Sequence, residues 1–539
     1  MNEAVKGSGA KARADAGEQL AGLTDLIDPR DPRPLIEWRA GKSDRATDLA
    51  EAVLMGSGEP IFQRADMIVR VIERPGISAR NFRRQDGVIG LIQVDRAYLI
   101  DALTRLAKWA RWDARSGALR AINCPDRVAT SYLSRIGCWK LPRLWAAVNA
   151  PTMRPDGTIL QKPGYDAETA ILFDPGALHY PEIPETPTRA QAEAALEDLV
   201  EAIGSFPFVE NVDRSVALAT VISALVRRSL PGAPITGITS PVMGSGKTLL
   251  ADIFSILATG VSAAAMVHPA DEEEASKLLL SVLSEGEAIV LIDNVERPLE
   301  GAWLCAALTS ESYTARLLGR NATIKVPTSC SWIATGNSLV LSGDLRTRAL
   351  LCRLDPRCEH PEERQFEGDL REQILERRAS LVSAGLTLAR AFVVSGKRAA
   401  DVVRPWGRFE AWSERVRAPL VWLGQPDPCA SRFQLEQEDP ERARLAAMLT
   451  TFRQVFGDHA ATGRELIDSA VRNDNVRETV EAVARDRSGQ LDALRLGRWL
   501  QKVAGRIVGG FEFRRDGIRQ GAVLWRVVGA LADQKGPRS

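Results

Sequence analysis

The apolar positions of this chain change period several times, and those changes mark its organisation. Residues 1–34 show little periodicity and end in the proline-punctuated run Asp28-Pro-Arg-Asp-Pro-Arg-Pro34, which reads as a disordered tail. Residues 35–188 mix both periods and predict an α+β domain. Helical spacing covers Ala46–Met55, Ala97–Trp109 and Arg127–Arg135, while alternation over Ile61–Arg64 and Met67–Val71 predicts a hairpin. Pro151–Asp174 interleaves the turn signals Pro155-Asp156-Gly157 and Pro163-Gly164 with short apolar runs, which predicts further hairpins, and Pro181–Pro187 reads as a linker.

Helical periodicity returns over Arg189–Ile203 and Asp213–Arg228. Short apolar runs then alternate with helical segments. Strands are expected at Ile235–Thr239, Ala263–Val267, Ala288–Ile292, Cys330–Thr335 and Ala349–Leu354, and helices at Leu249–Leu257 and Glu272–Leu283. Such alternation predicts a multidomain α/β chain whose central domain, 189–395, is a parallel sheet with helices on both faces. Further helices are expected at Leu370–Val394, Trp406–Leu423 and Arg442–Phe456, with 396–440 as a helical connector broken by Pro426-Asp-Pro-Cys429.

The last domain, 441–539, carries a basic signal. In the expected helix Ala493–Ala504, Leu494, Leu496, Leu500 and Val503 fall near helical spacing, and Arg495, Arg498 and Lys502 share one face. Apolar runs Phe511–Phe513 and Val523–Val527 flank Arg514-Arg515-Asp516-Gly517, which predicts a basic-tipped hairpin and a winged-helix-like domain. From Arg495 to Arg526 eight Lys/Arg stand against two acids, an excess suited to phosphate contacts. Arg498, Lys502, Arg514 and Arg515 are therefore candidate DNA contacts.

Composition narrows the class. A chain of 539 residues implies about three domains. Apolar content of 45% and charged content of 26% are those of a soluble globular protein, and the net charge of +1 excludes a global polycation. Seven cysteines without a C-x-x-C pair suit a reducing cytosol, so a cytoplasmic location is expected. Cys352, Cys358 and His360 lack a fourth ligand at a usual metal spacing. No apolar leader opens the chain, and its longest apolar stretch, Val216–Val226, is too short for a bilayer and reads as a buried helix. No membrane is expected as a partner.

The chemistry concentrates in Pro241-Val-Met243-Gly244-Ser245-Gly246-Lys247-Thr248, between an expected strand and an expected helix. A glycine turn opening a helix aims backbone N–H groups at phosphates, so Met243 to Thr248 form a candidate cradle for ATP. Lys247 suits the β/γ-phosphates and the Thr248 hydroxyl suits Mg²⁺. Pro241 replaces the usual first glycine. Ala288-Ile-Val-Leu-Ile-Asp293 ends an apolar strand in an acid 46 residues after Lys247, a second candidate Mg²⁺ ligand. The residue that follows, where a Glu polarises water in most such sites, is Asn294; an amide orients water without taking its proton, and Glu296 is the nearest substitute base. Ser331-Trp-Ile-Ala-Thr-Gly-Asn337 is a second strand ending in an amide, at the sheet edge where ligands bind. Past it, Arg348 is the first candidate for a charge delivered to a neighbouring subunit's γ-phosphate, with Arg346 and Arg353 behind it. Arg316, Arg320 and Lys325 decorate a predicted hairpin, turned at Gly319 to Asn321, between the two strands.

The order of these parts resembles the superfamily 3 helicases of the AAA+ class, and most of all the helicase half of phage- and plasmid-type primase-helicases. The likeness covers Phe206–Asp355, in Phe-Pro-Phe208, Gly-Ser-Gly-Lys-Thr248, Ile-Asp-Asn294, Leu-Thr-Ser310, Ala-Thr-Gly-Asn337 and Gly-Asp344. It also touches the region before the motor, in Pro155-Asp-Gly157 and Gly164-Tyr-Asp166. The resemblance implies an AAA+ P-loop motor and an ATPase acting as a homo-hexameric ring, its hairpin residues Arg320 and Lys325 gripping single-stranded DNA in the channel. It implies 3′→5′ translocation and a separate primase or polymerase as partner, with duplex contact left to the C-terminal domain. Lys247, Asp293, Asn294, Asn337 and Arg348 would be the catalytic set. Two alternatives stand beside it: a replication initiator or loader with slow hydrolysis, and an ATP-bound scaffold.

Overall fold

The computed structural model describes residues 30–74, 78–79, 82–83, 88–269, 271–316, 323–363, 368–433, 440–486 and 489–529. Of the expected tail, 1–34, residues 1–29 lie outside them. The chain divides into two units, 1–431 and 432–539.

The first unit opens with β1 (Leu35–Trp38), α1 (Ser43–Gly56), β2 (Ile61–Arg64), β3 (Met67–Arg74), β4 (Val88–Gln93), α2 (Arg96–Leu106), β5 (Lys108–Asp113), β6 (Ala118–Ile122) and α3 (Asp126–Leu133). β2, β3 and β4 form an antiparallel sheet, while β5 pairs parallel with β1 and antiparallel with β6. Ile36, Leu99, Leu103, Trp109, Val128 and Tyr132 fill one core between these elements. The helix expected through Trp109 stops at Leu106, because Ala107 turns extended and Lys108–Asp113 joins the sheet. Burying Trp109 at 2% exposure, its indole N–H on Leu103 O at 2.8 Å, outweighs the helical spacing of its sequence.

Short strands follow: β7 (Ala146–Val148), and, within the range expected to form hairpins, β8 (Thr152–Met153), β9 (Ile159–Leu160), β10 (Gly164–Asp166) and β11 (Ile171–Phe173). β8 pairs with β9 and β10 with β11, each antiparallel.

Next come α4 (Arg189–Ala202), α5 (Asn211–Val226), β12 (Ile235–Ser240), α6 (Lys247–Thr259), β13 (Ala265–Val267), α7 (Glu272–Glu285), β14 (Ile289–Asp293), α8 (Ala302–Thr309), β15 (Ser312–Arg316), β16 (Thr323–Pro327), β17 (Ser331–Asn337), β18 (Ala349–Arg353), α9 (Leu370–Glu376) and α10 (Arg378–Val394). Five strands form one wholly parallel sheet in the order β13-β14-β17-β12-β18. Burial at successive positions of β12, β14 and β17, rather than at alternate ones, fits strands covered on both faces. Val216–Val226 is indeed a buried helix, and α5, α6 and α10 share a core with Ile238, Leu291, Ile333 and Leu350 of the sheet.

Two further helices differ from expectation. The run Leu370–Val394 breaks at Arg377, so that Arg371 pairs with Asp252 of α6 at 2.8 Å while Arg378 donates to Leu257 O at the end of that helix. Trp406–Leu423 becomes helical only from Glu410 and widens over Ser413–Arg417, ahead of Pro419, which has no N–H to give.

The second unit contains α11 (Pro440–Phe456), β19 (Ala461–Thr462), α12 (Gly463–Arg472), α13 (Asp474–Ala484), α14 (Ala493–Val503), β20 (Phe511–Arg519) and β21 (Ala522–Gly529), with a sheet order β19-β21-β20. The hairpin turn is not at Arg514–Gly517. That segment lies in β20 and holds a bulge between Arg515 and Ile518, and the chain turns at Gln520-Gly521. Both turn residues have positive φ, +51° and +79°, the geometry whose twist matches a two-residue hairpin; Gly517 at +99° relieves the bulge. Among the described residues no helix is long and apolar enough to cross a membrane.

Candidate functional site

Parallel strands place all their C-terminal ends on one edge, and the candidate residues sit there. Ser240, where β12 leaves the sheet, is in register with Asn337 of β17, and Val267 of β13 with Asp293 of β14. The loop from Pro241 to Gly246 then turns through two glycines with φ of +70° (Gly244) and +92° (Gly246), and α6 starts at Lys247. Positive φ at both points explains why glycine occupies them. Phe206 lies under the second, with a ring carbon 3.5 Å from where a Cβ on Gly246 would stand. Pro241 does not prevent the turn, because the strained half of the loop is the glycine half.

Lys247 folds back into this loop. Its Nζ donates to Asn337 Oδ1 at 2.8 Å, Ser245 Oγ at 3.1 Å and Val242 O at 3.1 Å. Burial depresses the Lys247 pKa below its ordinary value, and the Asp293 charge opposes the shift. Thr248 Oγ1 donates to Asp293 Oδ1 at 3.2 Å. Thus a hydroxyl and a carboxylate meet beside a cation at a helix N-terminus, a donor set suited to a divalent ion and a polyphosphate. Met243 is 72% exposed at the loop's crest.

The residue that sequence reasoning missed is Thr335. Its hydroxyl donates to Asp293 Oδ1 and accepts from the Asn294 N–H at 3.1 Å. The available signal was a hydroxyl residue ending the apolar run Trp332-Ile-Ala-Thr335, and the structure buries it at 1% exposure. Asn294 adopts φ +51°, and its amide donates to Glu296 Oε1 at 3.2 Å. Asn tolerates the left-handed region better than Glu, which gives a local reason for the amide at this position. Gly336 lets the two strand ends approach: a Cβ on it would stand 2.6 Å from Val295 O.

Arg348 closes the short turn between β17 and β18. It is 6% exposed and tied to its own chain's Asp344 through the carboxylate and, at 3.0 Å, the backbone carbonyl. Arg353 is likewise occupied, by Asp213 at 3.1 Å and Glu210 at 3.3 Å, and Arg346 bonds to Gly343 O at 3.4 Å. These residues fix the turn and the strand that follow β17.

The hairpin β15–β16 pairs Thr314 with Lys325, whose side chain is exposed. Arg320 lies outside the described residues, as does the expected turn at Gly319 to Asn321. In the second unit Arg498 and Arg515 are exposed and have no carboxylate partner among the described residues. Lys502 is paired with Glu441 at 2.9 Å and Arg514 with Glu512 at 2.6 Å.

No family model matches this chain, and neither does any curated protein. Among solved structures it is similar to the apo C-terminal region of NrS-1 at 12% identity and a TM-score of 0.39, over 89% of this chain and 99% of that one. It is similar to the JCV helicase at 16% identity and a TM-score of 0.20, over 44% of this chain and 73% of that one. Likenesses this distant assign no residue a role, so the functional reading rests on the geometry of the sheet edge.

Proposed function

We propose that this chain is an ATP-dependent DNA helicase or translocase of a phage, plasmid or integrated-element replication system, working as a ring of like subunits. The observation that carries the reading is the meeting of Lys247 with Asn337 and of Thr248 with Asp293 at the end of one parallel sheet. Lys247 and the N–H groups of Gly244 to Thr248 would hold the phosphates of ATP. Thr248 and Asp293 would hold Mg²⁺, which when bound neutralises charge on the phosphates. Asn337, released from Lys247 by phosphate, would orient the attacking water, with Asn294 and Glu296 beside it. Lys325 would follow the nucleotide state on its hairpin, and Arg498 and Arg515 support DNA contact by a winged-helix-like second unit. Hexamer formation and a separate primase belong to this reading as proposals.

ATP hydrolysis with and without single-stranded DNA tests it. The expected result is turnover that DNA stimulates and that Lys247→Ala abolishes. Asn294 favours a second reading, a replication initiator, loader or scaffold in which ATP assembles the protein on DNA and hydrolysis is slow. Intact ATP binding with turnover no faster than Lys247→Ala would select that reading over the first.

A further inference from the structure

The Asp293 carboxylate is held through one of its two oxygens. Oδ1 accepts from the Thr248 hydroxyl at 3.2 Å and from the Thr335 hydroxyl. Oδ2 accepts no hydrogen bond among the described residues. Thr248 belongs to the first turn of α6 and Thr335 to β17, so the two donors reach one oxygen from different elements. Two donors converging on Oδ1 restrain the rotation of the carboxylate and leave Oδ2 for a further partner.

The direction of the Thr335 hydroxyl is fixed by its own partners. It accepts from the Asn294 N–H at 3.1 Å, and its single hydrogen goes to Asp293. The side chain is 1% exposed, so bulk water does not compete for either bond. The backbone carbonyl of Thr335 accepts from the Val295 N–H at 2.7 Å. One residue thereby grips three successive residues, Asp293 to Val295, where the chain leaves β14 and Asn294 takes φ +51°. Packing does not call for the hydroxyl, since a valine has nearly the same shape. The Asn294 N–H calls for an acceptor, and the bond to Asp293 is the one that reaches the site.

We infer that Thr335 is a positioning residue for the metal site: its hydroxyl orients Asp293, so that Mg²⁺ is held with ATP more tightly than Thr248 and an unrestrained Asp293 would hold it. Partners that orient a ligating carboxylate typically contribute about 10–100-fold to metal affinity. The inference rests on the ATP reading of this site, and Thr335 acts in it only through Asp293.

The test uses the full chain and methylanthraniloyl-ATP, with affinity measured by fluorescence once in Mg²⁺ and once in EDTA. The ratio of the two affinities isolates what the ion adds from what Lys247 and the loop supply. Thr335→Val is expected to lower the ratio about 10-fold, with the affinity in EDTA at its wild-type value. Thr335→Ala, which also removes the hydroxyl, should give the same ratio, and Thr335→Ser should restore it. A purely structural hydroxyl would lower the melting temperature of Thr335→Val, or both affinities in parallel, and leave the ratio unchanged. An unchanged ratio in the Val and Ala variants overturns the inference while leaving the ATP reading in place. So does a wild-type ratio near one, because Asp293 would then hold no ion with the nucleotide. No binding of the analogue by wild type overturns the ATP reading itself, and the inference with it.

Discussion

At the scale of single residues, Lys247 and Asn294 decide how the site behaves, and Arg348 how the segment after β17 is held. Lys247 is drawn in from water, so its pKa lies below the ordinary lysine value of 10.5. A phosphate needs the ammonium form. As pH rises, Lys247 loses its proton sooner than a solvated lysine does, so ATP affinity should fall early on the alkaline side. In that range binding should take up a proton, which calorimetry in buffers of different ionisation enthalpy measures; no buffer dependence there would contradict the placement of Lys247. Asn294 holds φ at +51°. An ordinary side chain pays about 1–2 kcal/mol in that region and Asn pays less. Asn294→Glu should therefore lower stability by about 1 kcal/mol in denaturant melts while Asn294→Gly leaves it near wild type. Equal midpoints for the two variants would remove the backbone reason for the amide. Arg348 is buried against an Asp344 carboxylate that is 69% exposed. Its removal leaves a small void and a carboxylate that water can solvate, a loss of about 2 kcal/mol. Arg348→Ala should thus melt earlier. Turnover lost well below that melting temperature, and regained on mixing with Lys247→Ala, would add the role of a charge shared between subunits.

At the scale of elements, α7 shows how the antiparallel sheet β2–β3–β4 is joined to the helices around the parallel sheet. The last carbonyls of this helix have no partners of their own. Arg64 of β2, almost wholly buried, donates to Leu283 O at 3.0 Å and Ser284 O at 3.1 Å, and Arg228 donates to Gly286 O at 3.0 Å. A guanidinium at a helix C-terminus meets the negative end of the dipole, but burial still pulls the Arg64 pKa down to about 10. Gly286 sits at φ +73°, and a Cβ on it would stand 2.7 Å from Leu91 Cδ1 of β4. Gly286→Ala should therefore cost more than the about 1 kcal/mol of the left-handed backbone alone, and Arg64→Ala about 3 kcal/mol through bare carbonyls. Chemical denaturation of the full chain measures both, and a neutral Gly286→Ala would show that β4 does not press on this turn. Elements like α7 and β14 were legible because their apolar period is set locally. The clamp was not, since Arg64 and Leu283 are far apart in sequence and an isolated arginine carries no period. The same distinction explains the misread end of α2. Trp109 has helical spacing, and only the parallel pairing of β1 with β5 shows that it belongs to a strand. In the second hairpin, Asp516-Gly517 and Gln520-Gly521 are both turn signals, and the sequence contains nothing local that ranks one above the other.

At the scale of the whole molecule, every group at the candidate ATP site belongs to residues 206–337, inside the first unit. The second unit has its own core, built from Leu445, Met448, Phe452, Leu466, Val480, Leu496, Phe513 and Trp525. A unit with a separate core can melt separately, because its stability depends on apolar surface that it buries within itself. Full-length protein should consequently show two calorimetric transitions. Trp525 is 4% exposed, so Trp525→Ala removes about 3–5 kcal/mol of packing. That is a large part of the about 5–15 kcal/mol that a small domain holds. The variant should shift or erase one transition, leave the other in place, and leave ATP binding unchanged. On the proposed DNA reading, affinity for DNA should fall with the lost transition, since the helix of Arg498 and the strand of Arg515 would no longer be folded. If both transitions moved together, the two units would be one cooperative body, and changes in the second would then reach the nucleotide site through packing.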